Sequence, residues 1–333
     1  MKYSKLQDMD ISRIILGVGE VGSEIPLAEG EKTLCAFMEK GGNAIDTGNV
    51  YANWIKGAER SSSEKAIGRL FKADPGLREK LFVCTKGAHY EFDDIAHTPR
   101  VNEGCITYDV NDSLRNMGID QIDLYWLHRD NPTYPVSLIM DALFTAQDAG
   151  KIGLIGASNW SARRIAEANA YAKSCGREGF CASQIMHSYA LPMDVGDRTT
   201  MYFDEELEGR AYLDQGLALF CFTSQAKGYI TKTLNGVQMK ENIRRYFDCP
   251  GNRERAARAD AVAKQAGSGH NAEQVGLAYL HALPYNTYTI VGPRNAGQIA
   301  DSMGACDISL TPEQIRFLAE DKSPIPRVPQ LGH

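Results

Sequence analysis

The sequence predicts an α/β fold, a closed (β/α)8 TIM barrel with a short N-terminal hairpin and an insertion after the seventh strand. Three observations predict it. Eight strand-like runs alternate with helical patterns along the chain. Glycines stand where helical runs stop, at Gly41-Gly42, Gly118, Gly150, Gly176 and Gly216, as a left-handed helix end requires. The length of 333 residues suits one barrel domain, and 43% hydrophobic against 23% charged residues supplies a large core. A doubly wound sheet is the competing architecture, but its sheets usually stop short of eight strands.

The hairpin is expected around Leu6 to Ser12. The barrel strands then read "RIILGVG", "NAIDTGN", "LFVCTKG", "IDLYWLH", "IGLIGAS", "CASQIMH", "LALFCFT" and "YTIVGP". Helical patterns fall at Glu29–Lys40, Ser62–Lys72, Val101–Asn116, Val136–Ala149, Ser161–Ser174, Glu205–Asp214, Ala272–Ala282 and Ala296–Met303. Residues 229–271 break this rhythm between the seventh strand and its helix, and contain a helix-like stretch of their own, "NRERAARADAVAKQAG". Barrel enzymes keep their chemistry at the C-terminal mouth, so this insertion is expected to stand over it. The whole chain, residues 1–333, then forms one domain.

The first turn poses a choice. Gly17, Gly19 and Gly22 spell G-x-G-x-x-G after a strand-like run, and Asp46 ends the next run. That is close to the fingerprint of a doubly wound dinucleotide site. Such a site needs a helix starting at the third glycine, with its N–H groups facing the pyrophosphate. Here Pro26 delays the helix. In a barrel the same glycines let the backbone turn tightly out of the first strand beneath a flat ligand.

Composition excludes several function classes. The net charge is −6, and no basic run is interleaved with aromatics, so neither nucleic acid nor an anionic membrane is an expected partner. No apolar stretch is long enough to span a bilayer. The opening "MKYSKLQDMD" lacks the apolar region of a secretory signal, and eight scattered cysteines form no C-x-x-C. The expectation is a cytoplasmic protein with reduced thiols. The seven histidines show no H-x-H or H-x-x-x-H spacing, so no metal site is expected. Nothing in the sequence fixes an oligomeric state.

Four residues stand out by position. Asp46 ends the second strand, Tyr51 lies in the loop after it, Lys86 ends the third strand and His128 the fourth. Ends of neighbouring strands converge at a barrel's mouth, so an acid, a phenol, an amine and an imidazole are expected to share one pocket. Singly, each has a plainer reading: a turn residue, a packed ring, a structural histidine. An inward-facing lysine, however, is costly unless paired. The conjunction on three consecutive strands points to chemistry.

These residues and their surroundings resemble the aldo-keto reductase superfamily over nearly the full chain. "IDTGNVYANW" is similar to its Asp and Tyr signature, "CTKG" to its Lys and "LYWLHRDNP" to its His. "GASNW" resembles the Ser-Asn pair that holds the nicotinamide carboxamide, here Ser158 and Asn159, and "SQIMHS" offers Gln184. "FCFTSQAKG" resembles the stretch where an aromatic, here Phe222, stacks on the nicotinamide and Thr223, Ser224, Gln225, Ala226 and Gly228 follow the pyrophosphate. "IVGPRNAGQIADS" resembles the adenosine-end motif, with Gly292, Arg294, Gln298 and Asp301. The resemblance implies a nicotinamide cofactor bound without a doubly wound fold. Gly19 is then a cofactor-side turn, and Asp46 belongs to Lys86.

The implied reaction reduces the aldehyde or ketone group of a small molecule by hydride transfer, with Tyr51 as proton donor. A free phenol has a pKa near ~10, a poor match for acid catalysis at neutral pH. An ammonium about 4 Å away, at an effective dielectric near 20, stabilises the phenolate by on the order of 4 kcal/mol. Asp46 would keep Lys86 charged, and His128 would orient the substrate oxygen. At the adenosine end, Gly292-Pro293 stands where many members carry Lys-Ser, and Gln298 where Arg is common. Arg294 remains to grip a 2′-phosphate, so NADP(H) is favoured over NAD(H). The rim is expected to include Trp54, His89, Tyr90, Arg129 and Trp160, which suits a sugar-derived or an aromatic carbonyl. Two alternatives stand beside this: a Schiff-base lyase using Lys86, and a cofactor-sensing regulatory subunit.

Overall fold

A computed structural model describes residues 1–265 and 269–327. The hairpin pairs β1 (Tyr3–Leu6) with β2 (Met9–Ser12), antiparallel. Eight strands follow: β3 (Ile14–Gly17), β4 (Ala44–Asp46), β5 (Phe82–Gly87), β6 (Ile122–Leu127), β7 (Ile152–Ser158), β8 (Ala182–Met186), β9 (Ala218–Phe222) and β10 (Thr287–Val291). All pair in parallel, and β10 closes onto β3. This is the (β/α)8 barrel expected from the sequence. Its interior is filled by alternate residues such as Ile15, Cys84, Leu124, Trp126 and Phe220, and the hairpin's Leu6 and Ile11 join the same cluster. Gly156 makes room for Trp126, since a Cβ there would lie 2.3 Å from the indole ring.

The surrounding helices are α1 (Leu27–Glu39), α2 (Ser62–Ala73), α3 (Gly76–Lys80), α4 (Glu103–Met117), α5 (Val136–Asp148), α6 (Ala162–Ser174), α7 (Glu205–Gln215), α8 (Tyr229–Leu234), α9 (Glu241–Phe247), α10 (Pro250–Gln265), α11 (Ala272–Ala282), α12 (Ala296–Met303) and α13 (Pro312–Ala319). Pro26 caps α1, which starts at Leu27, well beyond Gly22. That rules out the arrangement in which the helix begins at the third glycine. Gly118 and Gly216 are left-handed C-caps of α4 and α7. No helix among the described residues is long and apolar enough to cross a membrane.

The structure extends the sequence reading in several places. The hairpin begins at Tyr3. The insertion holds α8 and α9 as well as α10, and packs with α11 and α13 around Phe247, Ala259, Val262, Leu280 and Leu318. Arg255 of α10 grips Asp321 through Nε and Nη2 at 2.8 and 2.6 Å, and donates to the Tyr189 carbonyl. The short α3 has too few residues to show a period. For α13 a signal existed: Thr311 and Gln314 form a capping box with Pro312 at the first turn. Residues 266–268 of the insertion and 328–333 at the chain's end lie outside the described residues.

Candidate active site

The barrel register brings the four strand-end residues together. Asp46 ends β4, Lys86 lies one residue from the end of β5, and His128 follows β6; all three are buried. The Lys86 ammonium contacts Asp46 Oδ1 directly and donates to the Thr47 carbonyl at 2.7 Å. It lies 4.8 Å from the Tyr51 ring centroid. Gln184 Nε2 donates to the other Asp46 oxygen at 2.9 Å. The Tyr51 and His128 rings meet edge to face, 5.7 Å apart. Gly19 lies beneath the phenol, where a Cβ would sit 2.9 Å from the Tyr51 ring. Its lack of a side chain is what lets the first-strand turn approach so closely.

A second set of bonds holds the Tyr51 loop. The Asn49 N–H donates to the Lys86 carbonyl at 2.9 Å, and its side-chain amide donates to Asp112 at 2.9 Å and Glu64 at 3.3 Å. Glu64, fully buried, also accepts from Thr85 at 2.6 Å and Asn116 at 3.0 Å. Sequence reasoning missed this group. Its members are scattered over more than sixty residues with no local pattern.

Electrostatics divide the roles. Burial opposes the Lys86 charge, but Asp46 and Tyr51 outweigh it and raise its pKa, so the amine stays an ammonium. Burial, followed by the charges of His89, Arg129 and Lys86, pushes the His128 pKa well below the usual range. The imidazole is therefore neutral. Its Nδ1 is buried with no hydrogen-bond partner among the described residues. A fixed cation beside a phenol and a neutral imidazole can together receive charge developing on an oxygen.

The sequence-predicted cofactor residues line the ends of the last strands. Ser158 ends β7 level with Gln184 of β8, and Phe222 ends β9. Asn159, at φ +60°, has its amide committed within the protein, to the His128 carbonyl, Ser158 Oγ and the Met201 N–H. Thr223, Ala226 and Lys227 also take left-handed backbone conformations, followed by Gly228. Such a run of strained residues is sparsely populated and clusters at ligand sites. Ser224 donates to the Ile290 carbonyl and Gln225 to Ser302, so their side chains support the turn. A Cβ on Gly292 would meet nothing within 4 Å, which leaves open space beside the β10 end.

At the adenosine end, Arg294 is 57% exposed and pairs with Glu20 at 3.3 Å and Glu24 at 3.1 Å, both from the turn after β3. Gln298 accepts from the Arg294 N–H at 2.8 Å. Asp301 turns away from this group. Its carboxylate accepts from Asn271 at 2.9 Å and Gln274 at 3.1 Å, at the cap of α11.

The mouth is walled by aromatic rings. Trp54, 47% exposed, meets Tyr51 at 6.0 Å and Phe92 at 5.3 Å, edge to face. His89 stacks on Phe92 at 5.1 Å, and Tyr90 stacks on His97 at 4.1 Å. His89 has its pKa pushed down to about 3, by burial and then Arg129. Trp160 does not reach this rim. It is fully buried against Phe180, with its indole N–H donating to the Arg129 carbonyl at 2.9 Å. A tryptophan following the β7 end can face either the mouth or the barrel–helix layer, and here the Arg129 carbonyl draws it inward.

A model of the Aldo/keto reductase family matches residues 13–320. An uncharacterized oxidoreductase of Bacillus subtilis, YrpG, is 27% identical to this chain, covering 96% of it and 95% of the relative. An aryl-alcohol dehydrogenase (NADP(+)) of Phanerodontia chrysosporium is 28% identical, over 86% of this chain and 74% of the relative. An aldo-keto reductase of Schizosaccharomyces pombe, yakc (NADP(+)), is 25% identical over 78% and 74%.

Proposed function

The chain belongs to the aldo/keto reductase family and is an oxidoreductase; on that premise we propose that it reduces aromatic aldehydes or ketones to alcohols with NADPH, with Tyr51 as the proton donor. The observation that carries the reading is the buried Lys86 ammonium, fixed by Asp46 and the Thr47 carbonyl and poised over the Tyr51 ring. The residues present fit a nicotinamide cofactor. Ser158, Gln184 and Phe222 share the strand ends, the 223–228 turn supplies strained backbone where the pyrophosphate is expected, and open space lies beside Gly292 at the expected adenosine end. The cofactor, when bound, supplies the hydride.

The protein's own groups handle the proton. Tyr51 gives its hydroxyl proton to the substrate oxygen as that oxygen becomes an alkoxide. The phenolate left behind is stabilised by Lys86, and Asp46 keeps that ammonium charged and in place. Neutral His128 hydrogen-bonds the carbonyl oxygen and orients it. An ammonium held by a carboxylate has no free lone pair, so Lys86 is not a Schiff-base nucleophile here.

Two features support the finer assignments. The wall of Trp54, Phe92, His89 and Tyr90 offers ring faces and edges to an aromatic substrate. A relative is named as an aryl-alcohol dehydrogenase. Arg294 is the group to read a 2′-phosphate, which would displace Glu20 and Glu24; exposed pairs of that kind contribute only ~0–1 kcal/mol. Two relatives carry NADP(+) in their names. The test is oxidation of NADPH and of NADH by purified protein with benzaldehyde. Faster consumption of NADPH is expected. Cofactor binding without turnover of any aldehyde would contradict the reading and favour a sensor.

A further inference from the structure

Arg129 follows His128 directly and is partly buried at the same mouth. Its Nε donates to Thr199 Oγ1 at 2.9 Å, Nη1 to the His128 carbonyl at 2.9 Å, and Nη2 to Thr200 Oγ1 at 3.4 Å. No carboxylate among the described residues lies within ion-pair distance. Arg100, Arg164, Arg255 and Arg327 each have one within 4.0 Å, whereas Arg13, like Arg129, has none among the described residues and bonds a backbone carbonyl instead. The acid whose charge acts most on Arg129 is Asp197, and it is occupied. It accepts from the hydroxyls of Thr199 and Thr200 at 2.6 Å each, and from both of their N–H groups. Those hydroxyls stand between the two charges.

The guanidinium also has a defined outlook. It lies 6.0 Å from the Tyr90 ring, and its charge reaches Tyr51, Tyr90, His89 and His128. It therefore shares the space of the groups expected to handle the substrate oxygen. Of its five N–H groups, three are used by Thr199, Thr200 and the His128 carbonyl, and the Tyr90 hydroxyl takes a further bond, which leaves one N–H free. A free N–H on a fixed guanidinium offers a carboxylate a charge-assisted hydrogen bond. A cation held at a mouth without a counter-charge is costly to the free protein, and a bound anion removes the cost.

We propose that Arg129 anchors a carboxylate on the substrate, so that the preferred substrates are aromatic aldehydes carrying a carboxyl group. The inference rests on the reductase reading and narrows its substrate class. Thr199, Thr200 and the His128 carbonyl hold the guanidinium in place, and Asp197 holds the threonines.

The experiment compares kcat/KM for benzaldehyde and for the ortho, meta and para carboxybenzaldehydes, in wild type and Arg129→Met. Wild type is expected to favour at least one carboxylated isomer by about 10-fold or more, and Arg129→Met to reduce that preference by about 10- to 100-fold. Because the preference is a ratio within one protein, partial misfolding cancels. Arg129→Lys, which keeps the charge but not the bonds to Thr199, Thr200 and the His128 carbonyl that place it, is the second variant and should also lose most of the preference. No preference in wild type, or equal losses on every substrate in the variants, overturns the proposal. Benzoate binding, followed by calorimetry, separates the two levels. If no aldehyde turns over but benzoate binds only with Arg129 intact, the reductase reading fails and the anchor stands. Equal benzoate binding by wild type and variant sinks the anchor alone.

Discussion

Two ion pairs of this chain live in opposite surroundings. Lys86 and Asp46 are 1% and 4% exposed; Arg294 and its partners Glu20 and Glu24 are 57%, 46% and 48% exposed. In the barrel neither charge can turn to water, so each requires the other. At the surface, water competes with every contact, and the pairing is easily exchanged. The end of the site proposed to manage the proton is thus fixed by burial, while the end proposed to select the cofactor is left adjustable. A closed barrel gives both at once: its strand ends are buried, and the turns beyond them reach the surface.

The largest effect should come from breaking the buried pair. Lys86→Met leaves Asp46 buried without its cation, and should cost about 3–5 kcal/mol of unfolding free energy in denaturant titrations. Adding Asp46→Asn should recover part of that loss, because no unpaired charge remains. Strictly additive losses in the cycle would break the comparison at its buried end.

Acid should test the buried end next. His89, His187 and His281 have pKa values pushed down to about 3 by burial, and His128 lies well below the usual range. Each takes up its proton in the unfolded chain near pH 6.5 but not in the fold. Stability therefore falls as pH drops below about 6.5, by at most ~1.4 kcal/mol per pH unit for each histidine. Burial acts oppositely on Asp130, raised to about 6, on Glu208 and Glu273, raised to about 7, and on Asp46, Glu64 and Asp109, also raised above the usual carboxylate range. These protonate first in the fold and offset the histidines until the unfolded acids also protonate, near pH ~4. The steep loss should come below that. His187→Met, removing a buried imidazole whose two nitrogens have no hydrogen-bond partner among the described residues, should flatten the acid limb by one proton in pH-dependent melting.

The exposed end predicts smaller, cofactor-specific changes. Arg294→Ala should weaken NADPH binding by about 10-fold and leave NADH unchanged, read as dissociation constants by fluorescence quenching. Glu20→Gln with Glu24→Gln should tighten NADPH by roughly 2- to 5-fold, the scale of exposed pairs. Equal effects on both cofactors would mean that Arg294 merely supports its turn.

Much of this arrangement was legible in the sequence, for a physical reason. In a parallel barrel, consecutive strand ends are neighbours, so Asp46, Lys86 and His128 could be placed together from strand order alone. The glycine helix ends were legible because a left-handed helix end favours glycine, as at Gly118 and Gly216. Other contacts join distant segments. Glu24 meets Arg294 across 270 positions, and Thr199 meets Arg129 across 70. No spacing rule reaches that far. Nor does residue type tell which way a side chain turns: Trp160 went to the core and Asp301 to the cap of α11.

The central claim is that Tyr51 delivers the proton from a phenol held between Lys86 and His128. Tyr51→Phe tests it most directly, since the ring and its packing over Gly19 are kept and only the hydroxyl is lost. The measurement is kcat for NADPH-dependent reduction of benzaldehyde, with NADPH affinity followed in parallel. The account predicts a fall of at least ~100-fold in kcat with cofactor affinity unchanged. Turnover by Tyr51→Phe close to that of wild type would contradict it.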